Sequence, residues 1–450
     1  MSTEFSTFSG SHAGVSRRRF IQQGFAGLMA APFVTSGARA ASPNGKLRHA
    51  SFGASGMAWS DMTQLARHES WELVAVADVD SRNFARVKKQ WPNVKVYADW
   101  RELLAKEELD SVNISTPDHM HGPIGMTALQ KGLHVYGQKP LTQTLHECRV
   151  VTKLARDKGV MTQMGIQVSS SFTERLVVEM IQNGAIGKVK EVHSFSHKFW
   201  GEMNPLPVRE DAVPEGLNWD QWLAVAAERP YLSGVYHPSN WRKRRDFGTG
   251  TLGDMGCHMF SGWYRALGLG SPVSVKSTGP APVDKDSWAI NAKVEYVFPG
   301  TQFTESDKVK VTWYDGASLP PQEVMAMISG KFPDQGSVYI GTEGVLLSPH
   351  GSTPTLHPKE KFADFRYPKL EPRDHYLEYV DACLKGGEKP SANFDYSGPL
   401  TEAVLLGCLA SVFPNETLEW DAAKLSFANS EAATKLVTRD YRKGWEVAGL

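Results

Sequence analysis

The feature that most narrows the fold is a regular alternation of strand-like and helix-like stretches beginning at Leu47. Leu47-Arg48-His49-Ala50-Ser51-Phe52 reads as a strand, followed by a glycine turn from Gly53 to Ala58 and a helix through Met62, Leu65 and Ala66. Leu73-Val74-Ala75-Val76-Ala77 is a second strand ending at Asp78, and Phe84, Val87 and Lys88 follow at helical spacing. Val94 to Tyr97, Ser111 to Ser115, His134 to Tyr136 and Val160 to Gln163 read as further strands, with helices over 100–105, 122–131 and 147–158. Neighbouring strands lie parallel only when a crossover, usually a helix, carries the chain back. The pattern therefore predicts an α/β unit over residues 46–165, a parallel, doubly wound sheet with helices on both faces.

After Gly165 the texture changes. Phe172 to Asn183 reads as an amphipathic helix, and Val189 to Phe199 alternates like a half-exposed antiparallel strand. More strands are expected at 273–275, 289–297, 309–313 and 337–340, and helices at 255–267, 375–384 and 400–412. Residues 166–450 are thus expected to form an α+β domain with a large, mostly antiparallel sheet. A chain of 450 residues exceeds one ordinary core, which agrees with two domains. The Pro-, Trp- and Tyr-rich stretch from Met203 to Asn240 reads as an ordered excursion near a site.

Charge excludes some partners. Lys+Arg and Asp+Glu both number 49, so nothing favours nucleic acid or an anionic membrane, and the expected partner is a small molecule. Cys148, Cys257, Cys383 and Cys408 are scattered without metal-like spacing, so no metal is expected and the thiols read mainly as buried. At the N-terminus, Ser16-Arg17-Arg18-Arg19-Phe20-Ile21 holds a twin arginine. It is followed by a short apolar stretch from Phe25 to Val34 and by Ala38-Arg39-Ala40, an A-x-A cleavage pattern. That stretch is too short to span a bilayer. Residues 1–40 are expected to be a signal for the twin-arginine export machinery, leaving a periplasmic protein without a membrane anchor.

Gly53-x-Ser55-Gly56-x-Ala58 stands after the first strand and opens a helix, where a dinucleotide site needs close backbone approach to a diphosphate. Ser55 stands in place of the second glycine and Ala58 of the third. Gly53, Ser55, Gly56 and Met57 are the candidate cradle. Asp78, ending the second strand, can accept hydrogen bonds from adenosine ribose hydroxyls. The same carboxylate would repel a 2′-phosphate, which favours NAD over NADP.

Four segments together resemble the Gfo/Idh/MocA family of sugar and inositol oxidoreductases. They are the Gly53 turn with Asp78, Ser115-Thr116-Pro117-Asp118-His119-Met120-His121, Gln138-Lys139-Pro140, and Gly250-Thr251-Leu252-Gly253-Asp254-Met255-Gly256-Cys257-His258. The similarity continues to Leu400-Thr401-Glu402-Ala403-Val404-Leu405-Leu406-Gly407. The resemblance implies a Rossmann domain followed by a domain with an open-faced sheet, the active site lying between them. It places the family's catalytic lysine at Lys139 and its Asp-x-x-x-His pair at Asp254 and His258. It sets Ser115, Thr116, Pro117 and His121 against the ribose and nicotinamide, with Lys139 also on the cofactor side. One departure is that Gln138 stands where the family usually has Glu, removing a negative charge beside Lys139.

The chemistry of the residues agrees. Hydride transfer from an alcohol needs a group that takes the hydroxyl proton as C–H breaks. Asp254 and His258, at i and i+4, share one helical face. His258 as acid/base with Lys139 as electrostatic partner, or the reverse, are both open. Gln167 is a further nicotinamide-side candidate. His119 and His121 read as structural rather than as metal ligands. His193 and His197 share one face of a strand, as substrate contacts or as a packed pair. In Tyr236-His237-x-x-Asn240-Trp241-Arg242, His237, Trp241 and Arg242 are candidates to stack on and bond a sugar.

The first function expected is therefore NAD-dependent hydride transfer at a hydroxyl carbon of a sugar, inositol or glycoside. The second is a redox-neutral glycosidase or lyase that transiently oxidises its sugar on a tightly bound cofactor. Export motivates the second, because the periplasm offers little free NAD. A sugar-sensing protein without chemistry is disfavoured by the joint presence of Lys139, Asp254 and His258. A broad exposed sheet face predicts a homo-oligomer.

Overall fold

The computed structural model describes residues 45–450; the twin-arginine and Ala38-Arg39-Ala40 expectations lie outside the described residues. The first half runs β1 (Leu47–Phe52), α1 (Gly56–Leu65), β2 (Trp71–Ala77), α2 (Phe84–Gln90), β3 (Lys95–Tyr97), α3 (Trp100–Lys106), β4 (Ser111–Ile114), α4 (His121–Gln130), β5 (His134–Gly137), α5 (Leu145–Lys158) and β6 (Thr162–Met164). Its strands form a six-stranded sheet of order β3-β2-β1-β4-β5-β6, with each neighbouring pair parallel. β1 and β4 are buried almost throughout because helices cover both faces. The order reverses between β1 and β4, and there the strands' carboxyl ends leave a crevice.

Local chemistry sets the helix limits. α5 starts at a capping box, in which the Thr144 hydroxyl accepts from the Glu147 N–H and the Glu147 carboxylate accepts from the Thr144 N–H. It stops at Gly159, which takes the left-handed conformation at φ 63°.

The second half contains α6 (Phe172–Gln182), β7 (Val189–Ser196), α7 (Trp219–Leu223), α8 (Gly250–Ala266), β8 (Ser274–Ser277), β9 (Lys293–Pro299), β10 (Lys308–Asp315), α9 (Gln322–Ala326), β11 (Gln335–Gly341), β12 (Val345–Pro349), β13 (Thr355–His357), α10 (His375–Lys385), α11 (Phe394–Ala410), β14 (Thr417–Asp421), β15 (Ser426–Phe427) and α12 (Glu431–Thr434). Its nine-stranded sheet has the order β13-β12-β11-β7-β10-β9-β8-β14-β15. Only the β7–β10 pair is parallel; the others are antiparallel.

One face of this sheet packs on α8 through Phe260, Trp263, Tyr296, Phe298 and Trp313, all essentially inaccessible to solvent. The buried Trp263 indole donates to Ser194 Oγ at 2.9 Å, which satisfies its N–H inside the aromatic core. On the other face α9 covers a patch with Phe195, Tyr314 and Val338. Elsewhere that face carries charge, with Lys310 3.2 Å from Glu295.

Three expectations change in detail. The strand expected from Ala289 starts at Lys293, because Asn291 holds a positive φ of 62° that breaks extended backbone. The helix expected from Leu400 starts at Phe394 and contains Pro399, with the Asn393 side chain accepting from the Asp395 N–H as its cap. It is buried on nearly every side, which erases the helical period in its sequence. His193 lies on the sheet face away from α8, stacked on Tyr314 at 5.9 Å, and His197 meets Asp334 at the protein surface. All four cysteines are free thiols. Among the described residues no helix is long and apolar enough to cross a membrane.

α8 and α11 approach closely because glycines face across their contact. A Cβ at Gly256 would lie 3.2 Å from Val404 Cγ1, and one at Gly407 would overlap the Tyr296 hydroxyl and lie 2.7 Å from Leu252 Cδ2. Gly407→Ala is therefore expected to lower stability by about 1–3 kcal/mol through overpacking, read as a lower urea midpoint with unchanged m-value.

Candidate active site

The carboxyl ends of β1, β2, β4 and β5 border a cavity of about 440 Å³, within the range of ligand sites. At its β1 edge Gly53 has φ +106°, and a Cβ there would stand 2.8 Å from the Ser115 carbonyl oxygen and 2.9 Å from Ala58 Cβ. Glycine is needed both for the turn and for the approach of β1 to β4. Gly56 opens α1 at φ +54° with nothing within 4 Å of where a Cβ would be. Ser55 precedes it as the N-cap, with no side-chain capping bond. The helix N–H groups therefore face open space beside Met57, an arrangement that receives a diphosphate.

Asp78 borders the same cavity. Its Oδ2 accepts from the Ala54 N–H at 2.8 Å and from Asn83 Nδ2 at 3.2 Å, and Oδ1 accepts from the Asp80 N–H at 2.8 Å. Burial pushes its pKa up, against the pull of these bonds. The carboxylate thus braces the glycine turn as well as edging the cavity. Thr116 and Pro117 line the cavity on the β4 side, where Thr116 Oγ1 is buried without a partner among the described residues. Such an orphan hydroxyl is a group a ligand can satisfy. His121 also lines it, each ring nitrogen facing a carbonyl oxygen, Pro140 at 2.7 Å and Thr116 at 2.9 Å, so it ties the two loops together. These features fit a dinucleotide.

The excursion forms the opposite wall with Gln221, Trp222, His237 and Pro238. It is fastened to the edge beyond β2: the Asn218 N–H donates to the Val79 carbonyl at 2.8 Å, and His237 Nε2 lies 3.2 Å from Asp80 Oδ2. Asp80 also holds Arg82 by two hydrogen bonds of 2.7 and 2.6 Å. Trp241 donates its indole N–H to the Pro238 carbonyl and lies 4.2 Å from the Arg242 guanidinium.

At the inner end stands a charge cluster. Lys139 Nζ donates to Asp254 Oδ1 and to the Asp254 carbonyl, both at 2.7 Å, and Arg242 Nε donates to the same Oδ1 at 3.0 Å. Burial alone would push the Asp254 carboxyl up. Lys139 and Arg242 beside it more than offset that and hold it far below the usual carboxylate range.

His258 does not line this cavity. One helical turn beyond Asp254, it borders a smaller cleft with Glu174 and His350, its ring centroid 5.6 Å from that of His350. Its Nδ1 is buried without a partner among the described residues, and burial pushes its pKa well down, leaving a neutral imidazole. Gln167 also stands off the cavity, donating to the Tyr376 hydroxyl at 3.1 Å. Sequence reasoning missed Asp61, Tyr376, Trp222 and His350. Only Asp61 left a signal: it falls on the buried side of α1 with Ala58, Met62 and Leu65.

Residues 47–166 match the model of the NAD-binding Rossmann fold of the Gfo/Idh/MocA oxidoreductases, and residues 173–447 match that of their C-terminal alpha/beta domain. Among curated proteins, a 140-residue stretch is 29% identical to a glycosyl hydrolase family 109 protein of a Shewanella species, covering 29% of this chain and 30% of that protein. A 92-residue stretch is 28% identical to the levoglucosan dehydrogenase of Pseudarthrobacter phenanthrenivorans, covering 20% and 24%. The aligned stretches thus span less than a third of these relatives. Among solved structures, the WlbA dehydrogenase of Bordetella pertussis, in complex with NADH and UDP-GlcNAcA, has a TM-score of 0.59 at 15% identity. That match covers 84% of this chain and 99% of the other, a likeness of fold.

The side chains of Lys139 and Asp254 are only 14% and 13% exposed, so removing one charge strands the other. Asp254→Asn is expected to cost about 3 kcal/mol near neutral pH. Because the folded carboxyl lies below its unfolded value, this contribution is complete above about pH 4 and is lost as pH falls toward the folded value. The stability gap between wild type and variant, measured by urea unfolding, should stay level from about pH 8 to pH 5 and narrow below about pH 4.

Proposed function

The chain belongs to the Gfo/Idh/MocA family of NAD-binding oxidoreductases, and on that premise we propose that it transfers a hydride to or from a hydroxyl-bearing carbon of a sugar, inositol or glycoside. One observation carries the reading: Lys139 and Asp254, paired at 2.7 Å, border the same cavity as the Gly53 turn and Asp78. A nicotinamide bound there supplies the carbon that exchanges the hydride. Gly53, Ser55, Gly56 and Met57 would hold its diphosphate and Asp78 its adenosine ribose. Ser115, Thr116, Pro117, His121 and Lys139 would frame the nicotinamide end, with Gln167 behind them on the Tyr376 hydroxyl.

Lys139 turns positive charge toward the substrate oxygen and stabilises the alkoxide character that develops as C–H breaks. His258, neutral through burial, is the group able to take the hydroxyl proton, provided the substrate reaches past Asp254 into the smaller cleft that His258 borders. His237, Trp241 and Arg242 form the substrate-facing rim, where a ring packs on a sugar face and the guanidinium bonds hydroxyls. NAD is favoured over NADP, since Asp78 opposes a 2′-phosphate and Asp80 already neutralises Arg82 in the segment after β2.

A second reading, redox-neutral cleavage of a glycoside on a retained cofactor, is favoured by the excursion that walls the cavity and by the family 109 glycosyl hydrolase relative. The export pattern at Arg17 to Arg19 and Ala38 to Ala40 supports the same reading, with the mature protein in the periplasm and delivered by the twin-arginine machinery. The uncovered part of the nine-stranded sheet is the surface that would form a homo-oligomer.

The decisive experiment starts from purified, denatured protein, which is expected to release NAD(H). The folded protein is then incubated with chromogenic glycosides without added cofactor. Cleavage identifies the redox-neutral enzyme, turnover only with added NAD identifies the dehydrogenase, and a protein with no bound or bindable dinucleotide overturns both. Lys139→Ala should slow the chemical step by about 10²–10⁴-fold while the dinucleotide stays bound.

A further inference from the structure

Behind the cavity lies a carboxylate that the proposed chemistry leaves unused. Asp61, on α1, is fully buried. Gln138 Nε2 donates to both of its oxygens at 2.9 and 3.1 Å, Ser115 Oγ to one at 2.7 Å, and the Tyr376 hydroxyl to the other at 3.1 Å. Among the described residues no cation pairs with it, and every donor is a neutral amide or hydroxyl. Burial pushes its pKa up to about 6, against the pull of these bonds.

A buried carboxylate without a counter-ion is costly, and an apolar side chain would fill the space more cheaply. What the carboxylate adds is direction, because acceptor-only oxygens fix which end of each partner turns inward. Two of the partners, Ser115 and Gln138, themselves border the cavity and adjoin other residues that face it. Ser115 precedes Thr116 and Pro117, Gln138 precedes Lys139, and Tyr376 receives the Gln167 amide at 3.1 Å. Gly165 keeps room for the Gln138 amide, since a Cβ there would lie 2.6 Å from Gln138 Nε2.

We propose that Asp61 is the positioning residue for Lys139, carrying the negative charge that the neutral Gln138 lacks and holding the segments after β4, β5 and β6 in register around the nicotinamide end of the cavity. This rests on the hydride-transfer reading above for its activity arm. It makes Asp61 and Gln138 exchangeable as a pair: one carboxylate and one amide are required across the contact, in either order.

The test compares Asp61→Asn, Gln138→Glu and the double variant D61N/Q138E with wild type. NADH affinity is followed by nicotinamide fluorescence, kcat and KM with a turned-over sugar, and folding by thermal unfolding. Asp61→Asn should lower kcat at least about tenfold with KM changed less than about threefold, since misplacing a reacting group damages the chemical step most. Gln138→Glu sets two carboxylates in contact, which together hold one proton. As that proton is lost between about pH 7 and pH 9, where the single carboxyl of wild type is already ionised, NADH affinity should fall about fivefold, whereas in wild type and in D61N/Q138E it should change less than about twofold. The double variant should recover most of the wild-type kcat.

Wild-type kcat in Asp61→Asn, a pH-independent Gln138→Glu, or a double variant no better than Asp61→Asn would each overturn the proposal. If Asp61→Asn does not fold, the double variant decides: recovery of fold and NADH binding supports the charge exchange, and failure overturns it. If wild type binds NADH but turns over no sugar, the hydride-transfer reading fails while the pH arm still judges Asp61.

Discussion

The Asp254 carboxylate is the point where the two halves of the chain are joined chemically as well as sterically. Lys139 enters from the end of the parallel sheet, Arg242 from the loop before α8, and Asp254 from α8 itself. Two cations converge on one oxygen in a place where solvent barely reaches. Removing the carboxylate leaves two poorly solvated cations side by side. The lysine also bonds the Asp254 main-chain carbonyl, so its position depends on the helix and not only on the side-chain rotamer of its partner. The charge cluster is assembled only when the parallel sheet and α8 have both formed and docked.

Behind this cluster the polar groups change character. The interior of β1 and β4 would ordinarily be apolar, yet His49 bonds Ser111 and Asn113, Asn113 bonds Ser115, and Ser115 bonds Asp61. Burial lowers the His49 pKa to about 3, so this ladder is neutral until it reaches Asp61. The site therefore has two shells of different kind: ions facing the cavity, and oriented dipoles behind them that hold the loops. The second arrangement suits a site that must stay rigid while charge moves in front of it, because dipoles already oriented need not reorganise.

Much of this was legible in the sequence where the information is local. The β-α alternation, the turn at Gly53, the carboxylate at Asp78 and the i,i+4 pair on α8 are all set within a few residues. What escaped depends on distant partners. Asp61 meets Gln138 across 77 positions and Tyr376 across 315, so nothing near Asp61 announces its role beyond an acidic residue on an apolar face. The place of β7 between β10 and β11 is likewise non-local, as is the cleft that His258 shares with His350. The helix expected from Leu400 instead begins at Phe394 and runs through Pro399, which forgoes one bond to the carbonyl a turn back inside a helix buried on nearly every side.

The excursion links the cavity wall to the charge cluster, and that link bears on turnover. One end is fastened beyond β2 by Asn218 and by His237 against Asp80, and the chain then runs through Trp241 to Arg242 on Asp254. A displacement of this wall large enough to free a dinucleotide sideways has to part His237 from Asp80 and strain the Arg242–Asp254 contact. Opening the cavity and disturbing the reactive end are thus one motion rather than two. If a dinucleotide occupies the cavity, its release along this path is coupled to the Arg242–Asp254 contact.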